Sequence, residues 1–298
     1  MRVRLSDMPE LPSEEHNFFL HPNRRLSLGP DEPSLTYQSA GRGSEILLLH
    51  GLWSTPYSFR HLLRPLSEQF RVILPDLFSP IRESQKSRPY DPAALAGLID
   101  TIIKKTNLER PWLVAHGEAG LAGLWLALHQ PERIAGLMII GTAIKLPSSL
   151  RVRGWRLSRS GGVVRWAKRA FADPTKTALD MLDYADPAVA SRQELRELAR
   201  GWTHLPEALL RAQILTESLR PAFRKELLEK LTAASGQTFP VPLKLVYGKA
   251  DRVAVPEQGQ ALNRDFPGSE FMLSESSGGT VQIEQHQWLT AAITEAAT

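Results

Sequence analysis

Short apolar runs alternate with longer amphipathic stretches along most of the chain. The continuous apolar runs predict strands that are buried on both faces, at residues 45–49, 71–75, 112–115, 135–140, 243–247 and 270–273. Helical periodicity lies between them, at residues 57–69, 91–105, 120–129 and from about 285 to the end. Two further strands are predicted at 24–28 and 34–38, around the turn 29–33. This order indicates an α/β fold with a mostly parallel sheet covered by helices on both faces.

The pattern changes from about residue 145. No strand signal occurs before residue 243, and the interval is helical, with breaks at Gly161-Gly162, Pro174, Pro206 and Pro221. We therefore predict a helical lid at 145–239, inserted into a core formed by 23–144 and 240–298. Residues 1–22 are polar and contain two prolines, and we expect them to be an extension that is ordered only if it docks.

Composition excludes several classes of protein. The chain of 298 residues has no cysteine, which rules out disulfides and thiolate chemistry and fits a reducing compartment. It has no apolar run long enough for a membrane span and no apolar segment typical of a secretory signal near its start. A net charge of +4 without a nucleic-acid motif does not indicate nucleic-acid binding. We expect a cytoplasmic protein with no cofactor and no metal ion.

One strand turns directly into a small-residue helix. Such a turn is the frame of a nucleophile elbow, whose usual signature is G-x-S-x-G. The five positions here are Ala115, His116, Gly117, Glu118 and Ala119. The frame is present, but the serine position holds glycine. Glycine adopts the positive φ of an elbow with little strain, whereas another residue there costs about 1–3 kcal/mol.

Several further motifs fall in a characteristic order. They are Leu-Leu-His-Gly at 48–51, Pro-Asp at 75–76, Pro-Glu-Arg-Ile at 131–134 and Gly-Lys-Ala-Asp at 248–251, with Pro256 beyond. The chain resembles α/β-hydrolases of the esterase, epoxide hydrolase and dehalogenase type over roughly residues 24–298. The main motifs lie at the carboxyl ends of predicted strands, where ligand sites form in open α/β sheets.

The resemblance implies a triad in the chain order nucleophile, acid, histidine. Asp251 matches the acid position, Gly117 the nucleophile position and Gly279 the histidine position, so the predicted triad is degenerate. The resemblance also implies an oxyanion hole made by the backbone N–H groups of Leu52 and Glu118. Ordinary serine hydrolase activity is therefore not expected.

Three histidines and one glutamate are candidates to take over the role of the missing triad members. We interpret His286 as a surface histidine, His50 as part of a structural turn and His116 as a satisfied core histidine. Glu118 is either a helix first-turn acid, which the helix dipole would stabilise, or a residue that reaches the pocket as a general acid/base or as a contact for a cation. Loss of the histidine side chain predicts a void beside Asp251 that holds water or ligand.

The predicted lid carries a basic and aromatic stretch. We expect Trp53 together with the lid residues Trp155 and Trp166 to border the pocket. The simplest interpretation of the basic residues is a solvated face, and the alternative is a surface for an anionic lipid, partner or ligand. These residues are Arg151, Arg153, Arg156, Arg159, Arg165, Lys168 and Arg169.

Three hypotheses follow. The first is a catalytically degenerate protein that binds a small, largely apolar ligand or a partner under the lid. The second is a cofactor-free lyase, isomerase or cyclase that uses Asp251 or Glu118 for proton transfer. The third is an interaction protein that docks through the basic lid.

Overall fold

A computed structural model describes residues 24–80, 90–146, 161–186 and 190–298. Eight strands of these residues form one sheet in the order β1-β2-β4-β3-β5-β6-β7-β8. The strands β3 to β8 run parallel, while β2 pairs antiparallel with both β1 and β4. Their bounds are β1 Arg24–Ser27, β2 Ser34–Ala40, β3 Glu45–Leu49, β4 Arg71–Pro75, β5 Trp112–His116, β6 Gly136–Ile140, β7 Leu243–Gly248 and β8 Glu270–Ser274.

Helices cover both faces of this sheet, as the alternating pattern predicts. Their bounds are α1 Arg60–Ser67, α2 Pro92–Lys105, α3 Glu118–His129, α4 Gly162–Ala172, α5 Pro174–Leu182, α6 Arg192–Leu198, α7 Leu205–Ser218, α8 Ala222–Ala234, α9 Pro256–Asp265, α10 Val281–Glu284 and α11 His286–Ala297. Short 3₁₀ turns occur at Pro56–Phe59, Pro131–Arg133 and Arg200–Trp202. The predicted α/β architecture is confirmed.

The unbroken apolar runs follow from burial of the central strands on both faces. In β3, Leu47 and Leu49 belong to a core cluster that also contains side chains of α2 and α3. Ile46 and Leu48 belong to the opposite cluster, with side chains of α1 and α11. Because successive side chains of a strand point to opposite faces, both sets of positions must be apolar.

Local signals explain where helices begin. Asp91 caps α2 by accepting a hydrogen bond from the backbone N–H of Ala94 at 2.9 Å. The predicted helix 57–69 differs from the structure, because its first residues form the 3₁₀ turn Pro56–Phe59 and the α-helix begins only at Arg60. A proline at the first position suits either turn, so the pattern did not distinguish them.

Between β6 and β7 the described residues are helical and contain no strand. Arg211 of α7 attaches this helical segment to the loop after β3. Its side chain is fully buried and donates hydrogen bonds to the carbonyl oxygens of Leu52, at 3.2 Å, and Ser54, at 3.4 Å. It also pairs with Glu207 at 3.0 Å and lies over the ring of Phe78. The helical segment thereby fixes the loop that carries Leu52.

The division into an extension at 1–22, a core and a lid at 145–239 stays a prediction. Residues 1–22 lie outside the described residues, as does part of the predicted lid. Within the described part of the chain, no helix has the length and apolar character needed to cross a membrane. A cytoplasmic location also stays a prediction.

Candidate functional site

The turn between β5 and α3 has the geometry of an elbow. Gly117 lies between the two elements with φ 60° and ψ −127°. Its N–H donates to the carbonyl of Ile140 at 3.0 Å, and the hydroxyl of Thr142 donates to its carbonyl at 3.1 Å. A β-carbon at this position would have the Cα atom of Gly51 as its nearest neighbour, at 3.5 Å. The space at the tip of the elbow is therefore open, and the residue there has no side chain.

Asp251 follows β7 and is almost completely buried, with 5% of its surface exposed. Its Oδ1 atom accepts hydrogen bonds from the backbone N–H groups of Val253 and Ala254, both at 2.8 Å. Burial raises the pKa of this carboxyl to about 6, although the two backbone hydrogen bonds oppose the shift. Its other oxygen, Oδ2, faces the loop that follows β8.

Gly279 lies in that loop, beside Asp251. A β-carbon on Gly279 would stand 3.5 Å from Asp251 Oδ2 and 3.4 Å from the carbonyl oxygen of Leu182, which are ordinary contacts. The Gly279 N–H donates to the carbonyl of Asp183 at 2.8 Å. Glu284 holds the same loop by accepting from the N–H of Gly278, at 2.8 Å. A side chain at position 279 would therefore project next to the carboxylate, and the glycine leaves that position empty.

His116 corrects the prediction of a satisfied core histidine. Its Nε2 atom lies 2.8 Å from the carbonyl oxygen of Gly279, which can only accept, so Nε2 carries the proton. The Nδ1 atom is buried and has no partner among the described residues. Burial lowers the pKa of His116 to about 4, so the ring is neutral. Residue 116 is the last of β5, and at this edge its side chain borders a cavity instead of a covering helix.

The other two histidines lie in structural contacts. His50 is buried, and its Nε2 atom accepts from the backbone N–H of Leu77 at 3.1 Å. The ring of His286 stacks on that of His61 at the start of α11, with centroids 4.5 Å apart. Neither contact involves Asp251.

Glu118 lies where the resemblance implies an oxyanion hole. Its Oε2 atom accepts from the backbone N–H of Leu52 at 3.4 Å, so a carboxylate already faces one of the two implied donors. Burial lowers the pKa of the Arg224 guanidinium. The negative charge of Glu118 lies close enough to oppose part of this shift. Arg224 itself donates to the carbonyl oxygens of Ala143, at 3.2 Å, and Ser218.

These groups border one cavity of about 350 Å³. Gly117, Glu118, Asp251 and Gly279 lie along it, and its other walls are largely apolar. The rings of Trp53 and Trp166 meet edge to face, with centroids 5.4 Å apart. The apolar wall includes Leu121, Leu146, Leu215, Leu219, Trp53 and Trp166.

The basic stretch is only partly described. Arg165, Lys168 and Arg169 lie exposed on α4, close to the exposed side chains of Val164 and Phe171. Docking through this surface stays a prediction. The remaining residues of the basic stretch lie outside the described residues, namely Arg151, Arg153, Arg156 and Arg159. Trp155 also lies outside them.

Sequence reasoning missed several charged residues of the cavity wall, among them Asp183, Arg252 and Arg224. Asp183 adopts a left-handed conformation with φ 50°. Its carboxylate accepts hydrogen bonds from the backbone N–H of Arg252, at 2.8 Å, and from the Arg252 guanidinium. Each is a single charged residue in or beside a helical stretch, so no local pattern distinguishes it from a solvated residue.

Comparison with known proteins identifies the family. The family model described as alpha/beta hydrolase fold matches residues 46–285. The chain belongs to the α/β-hydrolase fold family. This α/β-hydrolase-fold protein is 24% identical over 275 residues to the uncharacterized hydrolase YugF of Bacillus subtilis, covering 87% of this chain and 91% of that protein.

Two further likenesses are informative. The chain is 29% identical over 138 residues to a cis-3-alkyl-4-alkyloxetan-2-one decarboxylase of Shewanella oneidensis, covering 44% of this chain and 42% of that protein. The crystal structure of an alpha/beta hydrolase fold protein from Burkholderia ambifaria superposes with a TM-score of 0.75 at 16% identity, covering 92% of this chain and 98% of that one. The structural likeness supports the fold alone.

The elbow glycine gives a stability prediction. Replacement of Gly117 by alanine places a residue with a side chain at φ 60°, although its β-carbon meets no steric clash. We therefore expect the free energy of unfolding to fall by about 1 kcal/mol. Gly97 is a matched control because it is exposed in α2 and has open space around it. Gly97→Ala should stabilise the protein by about 0.5–1 kcal/mol. Urea denaturation measures both, and equal effects would contradict a strained elbow.

Asp251 gives a pH prediction. Burial raises its pKa from 3.8 to about 6, so the folded protein holds this proton more tightly than the unfolded chain. The resulting stabilisation is fully present below pH 3.8 and is lost as the pH rises through 6. We expect the free energy of unfolding of the wild type, relative to Asp251→Asn, to fall by up to about 3 kcal/mol between pH 4 and pH 7.

Denaturant titrations at several pH values test this expectation. His116 contributes with the opposite sign, because its pKa is lowered and its stabilisation is lost as the pH falls from 6.5 towards 4. That contribution is common to both proteins and cancels in the difference. Asp180→Asn serves as the control, since Asp180 is half exposed and pairs with Lys176. A difference that does not depend on pH would refute the shifted carboxyl.

Proposed function

We propose that this α/β-hydrolase-fold protein binds a small, largely apolar ligand in the cavity beside Gly117 and forms no acyl-enzyme. The observation that carries the proposal is the pair of glycines. Gly117 occupies the tip of the elbow, and Gly279 stands where a side chain would reach Asp251. Nucleophilic catalysis by a serine requires a hydroxyl, a base that takes its proton and a carboxylate that orients the base. Of these three groups, the carboxylate alone has a counterpart at the corresponding positions of the described residues, as Asp251.

The neighbouring groups support the same conclusion. The Nε2 atom of His116 is engaged with the carbonyl of Gly279, so this imidazole is not oriented by Asp251. The Leu52 N–H faces the carboxylate of Glu118. A fixed negative charge there repels the oxyanion that forms during acyl transfer, whereas an ordinary hydrolase places hydrogen-bond donors at that point.

The cavity suits a small ligand. Its volume of about 350 Å³ lies at the lower end of the range of roughly 300–1,000 Å³ for small-molecule sites. Leucine and tryptophan side chains form most of the apolar part of the wall, and Glu118, Arg224 and Asp251 add charged groups to it. A ligand with an apolar body and one polar group matches this distribution.

Ester turnover tests the absence of acyl-enzyme chemistry. With 4-nitrophenyl butyrate we expect no burst of product, and a rate that stays the same in Gly117→Ala and in Asp251→Asn, because neither residue takes part in hydrolysis. A burst approaching one equivalent per protein would overturn the proposal.

A thermal-shift screen of metabolites tests the binding function, since a ligand at 100 times its Kd stabilises the fold by about 2.7 kcal/mol.

A second candidate is a cofactor-free, non-hydrolytic enzyme of the lyase, isomerase or cyclase type. The pKa of Asp251 near 6 favours it, because a carboxyl that titrates close to neutrality can exchange a proton with a bound substrate. The Shewanella oneidensis relative is named as a decarboxylase, which is also not a hydrolase.

Carboxylate replacement tests this second candidate once a turnover has been found. Asp251→Asn and Glu118→Gln should together reduce the rate by about 100-fold or more, the usual contribution of a general acid or base. Asp180→Asn, at the edge of the same cavity, should leave the rate unchanged. An unaltered rate in the double variant would dismiss proton transfer by these carboxylates.

A further inference from the structure

One oxygen of Asp251 lacks a hydrogen-bond donor. Both backbone N–H groups that contact this carboxylate donate to Oδ1, and no described residue donates to Oδ2. The residue is nevertheless 95% buried, since only 5% of its surface is exposed. Oδ2 is not among the enclosed polar atoms that lack a partner, so it is the accessible part of this otherwise buried side chain. An accessible carboxylate oxygen without a donor can accept a hydrogen bond from a molecule in the cavity.

The space next to Oδ2 is bounded by two glycines. A β-carbon on Gly141 would stand 3.3 Å from Oδ2, and one on Gly279 would stand 3.5 Å from it. Both glycines and Asp251 border the cavity. The unpaired oxygen is therefore adjacent to a space that a ligand can enter, at the position where a side chain of residue 279 would otherwise lie.

The charges of the described wall favour a positive ligand. Four carboxylates and two guanidinium groups border the cavity, but Asp180 is exposed at its edge and already paired with Lys176. The guanidinium of Arg252 already pairs with Asp183. His116 adds no charge, because burial keeps it neutral. Apart from these two ion pairs, the described wall carries Glu118 and Asp251 against Arg224, an excess of one negative charge when both carboxylates are ionised.

We propose that the space between Gly141, Gly279 and Asp251 is a subsite for a protonated nitrogen of the ligand, which donates an N–H to Asp251 Oδ2. The ligand supplies the donor that a histidine at position 279 would have supplied. Its apolar body lies along the leucine and tryptophan wall, so the ligand class is an apolar amine or imidazole. This inference rests on the proposed binding function and specifies the ligand of that site.

A series of probes with one chain length tests the subsite. Hexylamine, hexanol and hexanoate share an apolar body and differ in the polar group, and isothermal titration calorimetry gives their Kd values. We expect hexylamine to bind about 10-fold or more tightly than either of the others, because a hydrogen bond between charged groups exceeds a neutral one. Preferred binding of hexanoate would identify Arg224 as the anchor and overturn the proposal, as would equal binding of all three or no binding.

Variants locate the contact. Asp251→Asn and Gly279→His should each weaken hexylamine by about 10-fold, the first by removing the charge and the second by filling the space. Asp180→Asn removes the same formal charge from the edge of the cavity and should change the Kd by less than about 3-fold, because Asp180 is exposed and paired with Lys176. An equal loss in Asp180→Asn and Asp251→Asn would show a general charge effect and refute the subsite.

Two further measurements separate the possible failures. If Gly279→His does not fold, Gly279→Ala is the substitute, since its β-carbon makes only ordinary contacts, and it should weaken hexylamine by a smaller factor than Asp251→Asn. Unchanged binding in Gly279→Ala, with unchanged binding in Asp251→Asn, would overturn the proposal. Ester turnover by the same preparation reports on the proposed function alone, whereas the preference among the probes reports on the subsite.

Discussion

The turn at Gly117 is the constraint on which the rest of the site depends. A parallel sheet places the ends of β3, β5, β6, β7 and β8 at one edge, and the elbow directs the backbone at the end of β5 away from that edge. The turn requires φ 60°, a conformation that costs a side-chain-bearing residue about 1–3 kcal/mol and glycine almost nothing. Glycine adopts this geometry without a side chain, so the shape of the turn does not require a nucleophile at its tip.

Hydrogen bonds between loops hold the floor of the cavity. Gly279 accepts from His116 with its carbonyl and donates to the carbonyl of Asp183 with its N–H. Asp183 in turn fixes Arg252, next to Asp251. These contacts join the ends of β5 and β7 to the loop after β8. Hydrogen bonds of the backbone and of charged side chains therefore order the site. Asp251 Oδ2, which has no donor among the described residues, remains available at the cavity.

The electrostatics of this floor differ from those of an acyl-transfer site. Such a site directs N–H donors towards a negative charge that exists only in the transition state. Here the carboxylate of Glu118 already faces the N–H of Leu52, and the buried carboxylate of Asp251 has one oxygen without a donor among the described residues. Arg211 fixes the carbonyl side of the same loop from the helical segment above it. The two carboxylates thus place negative charge at this edge of the sheet, which is the basis of both proposals.

Much of the fold follows from the sequence, because strands and helices of this class are set by local apolar periodicity. The buried runs predicted the central strands, and glycine at 117 and 279 could be read directly from the elbow and loop motifs. The roles of His116, Asp183 and Arg224 could not, because they depend on contacts between distant segments. His116 meets a carbonyl 163 residues away, and Glu118 faces an N–H 66 residues away. The amino-acid sequence specifies which groups line the site. The packing of the loops then establishes which of these groups are paired, buried or open to a ligand, because burial and hydrogen bonding are properties of the folded chain.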